Sequence, residues 1–179
     1  MKKLFFTVLF IAALHFQVRA QSETPGRYNK AIFVEALGNG IGISANYDMR
    51  IKRGVQDGFG FRAGIGGLSA NGTDTDGRSV DASIITFPLA VNYLIGERRS
   101  AFEAGLGITP IYANADVYDT NNTGITDAKG WGTSGFINLG YRFQPLKNGF
   151  VFRFDWTPAF NSTGFSPAWF GISAGIGFK

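Results

Sequence analysis

Apolar and polar residues alternate with a period of two through most of this chain, the mark of strands with two unlike faces. The segment 40–51 shows it most clearly. Ile41, Ile43, Ala45, Tyr47, Met49 and Ile51 fall on one face; Gly40, Gly42, Ser44, Asn46, Asp48 and Arg50 fall on the other. A helical period would scatter these sets around the helix. The same sorting recurs at 58–68, 82–94, 101–112, 131–143, 150–157 and 169–178. It is least regular at about 30–38, where Ile32, Val34 and Ala36 oppose Phe33, Glu35 and Leu37. The pattern predicts eight strands.

The connections alternate too. Those at 52–57, 96–100 and 144–149 are short, while 69–81, 113–130 and 159–168 are longer and rich in Asn, Asp, Gly, Ser and Thr. Gly38-Asn39-Gly40 reads as a tight turn where a long loop would be expected. Strands that go up and down with short turns at one end and long loops at the other predict an all-β, antiparallel barrel.

The first twenty residues stand apart from this pattern. Lys2 and Lys3 precede an apolar run at 4–16, and Val18-Arg19-Ala20 closes it with residues that suit signal-peptide cleavage. The run is shorter than the ~20 residues a membrane-spanning helix needs. A cleaved signal peptide is therefore expected at 1–20, a polar lead-in at 21–29 and a barrel domain at 30–179. Its removal takes away Lys2, Lys3 and Arg19, leaving 14 bases against 13 acids, so the basic pI gives no support for nucleic-acid binding. His15 leaves as well, and the chain has no cysteine. Disulfides, lipoprotein acylation, thiolate nucleophiles and most zinc sites are thereby excluded from the mature chain.

Alternation alone would also fit a soluble ligand-binding barrel with its apolar face inward. The polar face argues otherwise. A water-facing surface should carry many Lys and Glu, but this one is mainly Gly, Ser, Thr and Asn, which suits a cramped interior. Its charges are balanced: Glu35, Asp48, Glu103 and Asp155 against Arg50, Arg62, Arg142 and Arg153. Charges in a narrow lumen need partners, so these eight are candidates for an internal network. Asp48 and Arg50 also fit a place at a strand end in water. The apolar face then meets lipid, and most strands are near the ~9–11 residues a tilted span requires. Aromatic residues on that face fall into two belts. Tyr47, Phe59, Tyr93, Phe102, Tyr141, Phe143, Phe150 and Phe178 lie toward the expected periplasmic side; Tyr112, Trp131, Trp156 and Phe170 lie toward the outside.

With these features residues 30–179 resemble the small outer-membrane β-barrels of the OmpA/OmpX type, grouped as porin-family barrel domains. The last strand, Phe170-Gly-Ile-Ser-Ala-Gly-Ile-Gly-Phe178, is part of the likeness. In that family the barrel-insertion machinery reads the final strand through alternating apolar residues and a terminal aromatic; here Lys179 follows Phe178. The resemblance implies a monomer in the outer membrane of a Gram-negative-type cell, with lipid and that machinery as partners. Members serve as structural anchors, adhesins, narrow channels or, rarely, lipid-modifying enzymes.

Other motifs add little. The Gly-x-Gly pairs at 38–42 and 105–107 sit in strand-like alternation with no helix after them, so no phosphate loop is expected. Asp74-Thr-Asp76-Gly77 resembles part of a calcium loop, but Gly72 and Ser83 occupy ligand positions. Asp116, Asp119 and Asp127 suit solvated residues as well as a calcium contact. The triplets at 71–73, 121–123 and 161–163 are surface markers. Acyl-cleaving barrels need a His beside a Ser, and the mature chain has none. A Glu103–Asp155 acid and base pair has no spacing in its favour. No catalytic, cofactor or metal set is expected. The reading is a non-catalytic barrel with a filled lumen and a structural or surface-contact role through its outer loops. A narrow channel for ions or very small solutes and loop-mediated ligand or adhesion binding are the alternatives.

Overall fold

The computed structural model describes residues 29–52, 54–73, 78–96, 98–118 and 124–179. The expected signal peptide, and the lead-in up to Tyr28, lie outside the described residues. The strands are β1 (Lys30–Leu37), β2 (Ile43–Arg50), β3 (Gly58–Thr73), β4 (Ser79–Thr86), β5 (Leu89–Ile95) and β6 (Ser100–Tyr118). They continue as β7 (Gly124–Phe143), β8 (Gly149–Trp156), β9 (Ala159–Asn161), β10 (Gly164–Ser166) and β11 (Phe170–Phe178). All pairings are antiparallel, and β1 pairs with both β2 and β11, from Lys30↔Phe178 to Leu37↔Gly171. The sheet therefore closes into a ring.

Three pairs of short strands are interrupted single strands, which gives eight around the ring. Pro88 splits β4 from β5, since it has no N–H for the ladder. Its carbonyl still accepts from Gly64 N at 2.9 Å, and Phe87 N donates to Pro110 O at 3.0 Å. Pro158 splits β8 from β9 in the same way, with Ile137 N donating to its carbonyl at 3.1 Å. A short turn at 162–163 then leads through β10 to β11.

The faces sort by polarity. Phe61, Leu89, Leu106 and Ile172 are 41, 45, 67 and 48% exposed, whereas Arg62 and Glu103 are 2 and 1% exposed. Apolar side chains thus cover the outside, and the inside is filled mainly by polar ones, with Phe33, Leu94, Phe136 and Val151 as buried apolar members. A barrel of this polarity is stable only where its exterior meets something as apolar as itself.

The structure corrects the sequence reading at three places. Much of the segments 69–81, 113–130 and 159–168 is not loop. β3 and β4 form a ladder to Thr73↔Ser79, β6 and β7 to Tyr118↔Gly124, and β9 and β10 make a small hairpin. These extensions have reversed polarity, which explains the misreading. Ile85, Tyr112 and Trp131 form one outward row across β4, β6 and β7. The next outward row is Ser83, Asn114 and Lys129, and the one after is Asp81, Asp116 and Asp127. Outward residues turn polar where the strands leave the apolar layer.

The second correction is at 40–42, which is not strand: a single 3-10 turn occupies Gly38–Gly40 and β2 begins at Ile43. The third is Leu37, which is exposed rather than on the polar face. Its φ of 60° ends the alternation of β1 one residue early.

Candidate functional site

Among the described residues the lumen is where chemistry-bearing side chains gather away from water. Alternate residues of β1, β2, β3, β6, β7 and β8 supply Glu35, Asp48, Arg50, Arg62, Glu103, Arg142, Arg153 and Asp155, none more than 2% exposed. Strand alternation aims them all at the axis. Asp48 and Arg50 are buried too, so neither sits in water at a strand end.

Ion pairs join all eight into one network. Arg50 Nη2 meets Asp48 Oδ1 at 2.7 Å, and Arg142 Nη1 meets the same oxygen at 3.1 Å. Arg142 Nε reaches Glu103 Oε2 at 2.9 Å. Arg153 Nη2 reaches Glu103 Oε1 at 2.7 Å and Asp155 Oδ2 at 3.1 Å. Arg62 Nη2 holds Glu35 Oε2 at 3.0 Å, and Arg153 Nη1 stands 3.9 Å from Glu35 Oε1. Asn92 Nδ2 donates to Asp48 at 2.7 Å and to Glu103 at 3.0 Å, bridging two acids. Phe33 enters from β1 as an apolar member, with the Arg153 and Arg62 guanidiniums 4.6 and 5.6 Å from its ring centre. Cation–π contact offsets part of the cost of burying those cations. Glycine makes the room. A Cβ at Gly60 would meet the Arg50 guanidinium, and one at Gly140 would meet the Asp155 carboxylate.

Both ends of this network are capped. The turn between β1 and β2 folds into the mouth opposite the start of β1, and Gly38, Asn39 and Gly40 are buried. Asn39 Nδ2 donates to Asn138 Oδ1 at 2.8 Å. Thr109, Thr86 and Trp169 donate to the carbonyls of Asn39, Gly40 and Gly38 at 2.8, 2.9 and 2.7 Å. Leu37 and Ile41, at φ 60° and 70°, bracket the turn in a region costly for branched residues. At the other mouth Gln56 Nε2 donates to Pro145 O, and Gln144 Nε2 donates to Arg98 O at 3.1 Å. Sequence reasoning missed Asn39, Gln56 and Gln144, whose partners lie on distant strands and turns.

The twelve belt aromatics all take outward positions. Phe59 and Tyr93 meet edge to face at 4.7 Å, and Tyr141 and Ser100 share a hydroxyl hydrogen bond of 2.8 Å. At the far side Trp131 stacks on Phe87 at 6.3 Å and leans on Tyr112 at 5.2 Å, and Phe170 stacks on Phe154 at 6.1 Å. Trp156 Nε1 donates to Pro167 O at 2.6 Å.

A closed ring, a lipid-like exterior and an ion-paired interior bring the fold to a point. The fold is that of a small outer-membrane β-barrel. A major outer membrane protein of Thermus thermophilus shares it at a TM-score of 0.56, with 13% identity over 84% of this chain and 98% of that one. The N-terminal β-barrel domain of Pseudomonas aeruginosa OprF aligns at 0.48, with 12% identity over 86% and 98%. Ail, the attachment invasion locus protein of Yersinia pestis, aligns at 0.45, with 13% identity over 83% and 91%. No family model matches the sequence, and no curated protein matches it. Closed barrels with this polarity reside in outer membranes.

Of the aspartates weighed for calcium, Asp74, Asp76 and Asp119 lie outside the described residues. Asp116 and Asp127 are directly opposed on β6 and β7. Lys129 Nζ contacts Asp127 at 2.7 Å, and the hydrogen bond it donates there holds its ammonium above the ordinary lysine value.

Proposed function

We propose that this barrel is a non-catalytic, integral outer-membrane protein whose lumen is closed by its own side chains, and which acts outside through its extended hairpins. The observation that carries this reading is the single buried ion-pair network, capped above by the inward turn and below by two glutamines. Such a lumen favours a structural or surface-contact role over transport. The acids within it are engaged by arginines, which leaves Glu103 and Asp155 ill-suited to proton transfer with a substrate. The β3–β4 and β6–β7 hairpins rise past the Ile85–Tyr112–Trp131 row and offer a polar outward face to a partner. Insertion through the β11 signal and life as a monomer complete the proposal.

Planar-bilayer recording of the purified protein tests it. The expected result is no stable conductance from the folded barrel; discrete, reproducible openings would replace this reading with the narrow channel.

A further inference from the structure

The two mouths carry opposite charge. Around the mouth where β1 begins and β11 ends stand Lys30, Lys52, Arg98, Arg99, Lys147 and Lys179, with Asp57 the only acid there among the described residues. Around the opposite mouth Asp81, Asp116 and Asp127 outnumber Arg78 and Lys129 among the described residues. The lumen's four acids and four bases cancel, so the described barrel is a dipole with its positive end where β1 begins and β11 ends.

Two of the rim cations share a groove. It has a volume of ≈ 490 Å³ and lies between Arg99 and the 144–149 turn. Arg99, Lys147 and Asn148 are its polar lining residues; Phe143, Pro145, Leu146 and Phe150 are its apolar ones. Phe143 and Phe150 belong to the outward face, so this apolar lining is continuous with the surface that meets acyl chains. Among the described residues no acid forms an ion pair with Arg99 or Lys147. Two cations above an apolar wall at the edge of a bilayer match one ligand shape: an anionic headgroup with its chain running along the barrel.

We infer that this groove seats the phosphate of an anionic phospholipid from the leaflet that surrounds the mouth where β1 begins and β11 ends. The inference rests on the membrane reading above and adds a headgroup class to it. Zwitterionic lipid fits less well, because its ammonium would approach the same two cations. Each cation near an anionic surface contributes roughly fivefold in association.

The test reconstitutes the full barrel in phosphatidylcholine vesicles and measures its association with spin-labelled phosphatidylglycerol and spin-labelled phosphatidylcholine. A preference for phosphatidylglycerol of about fivefold or more is expected, lost in the double variant Arg99→Gln/Lys147→Gln. Gel mobility with and without boiling verifies that both proteins are folded. Equal association of the two lipids with a folded wild-type barrel overturns the inference, as does a preference that the double variant keeps. Sedimentation with purified peptidoglycan that the double variant abolishes, without lipid preference, would assign the groove to the cell-wall polymer instead. A wild-type protein whose mobility ignores boiling would remove the membrane reading itself.

Discussion

Glu103 is the residue on which the interior turns, because both of its oxygens are shared. Oε2 accepts from Arg142 Nε at 2.9 Å and Arg153 Nε at 3.0 Å, and Oε1 accepts from Arg153 Nη2 and Asn92 Nδ2. Arg142 and Arg153 are directly opposed across β7 and β8, so only the acids between them make that pairing tolerable. Glu103→Gln is expected to destabilise the barrel by about 3–5 kcal/mol, since it strands buried cations. Urea titration in lipid vesicles reads this; an unchanged midpoint would mean the network contributes little. The sequence shows which charges face inward, because parity along a strand is local. It does not show who pairs with whom. Glu35 and Arg62 are 27 residues apart and meet across β2, whereas Asp48 and Arg142 are 94 apart and only the closed ring brings them together.

At the scale of single elements, the β1–β2 turn departs most from an ordinary hairpin. Its inward fold depends on Asn39, whose amide reaches Asn138 on β7 while Thr86 and Thr109 grip the neighbouring carbonyls. Asn39→Ala leaves Asn138 buried without that partner and is expected to cost about 1–3 kcal/mol in the same titration. A variant as stable as the parent would show that the turn is merely resting in the mouth. That a tight turn stands here is legible in Gly38-Asn39-Gly40, but its direction is not, since the anchoring hydroxyls come from β4 and β6. The extended hairpins were hidden for a different reason. Alternation identifies strands while one face meets lipid; beyond Ile85, Tyr112 and Trp131 the outward face meets water, and Asn, Asp and Ser there look like loop composition.

For the whole molecule, everything depends on the exterior being solvated by acyl chains. Leu106 lies on β6 between the Phe102 and Tyr112 belts and is 67% exposed. Leu106→Arg should therefore destabilise the barrel in a bilayer by roughly 2–4 kcal/mol, the cost of a cation near the midplane of a barrel wall. A soluble barrel would accept the same change with little effect, because an exposed arginine is at home in water. The sequence has no cysteine, so one introduced thiol can carry one nitroxide without ambiguity. The most direct measurement is power-saturation electron paramagnetic resonance on Leu106→Cys and Ile172→Cys, each spin-labelled and reconstituted in vesicles. Molecular oxygen, which concentrates in the acyl layer, is expected to relax both labels more than a water-soluble nickel chelate does. Greater relaxation by the chelate at both positions would contradict a lipid-facing exterior.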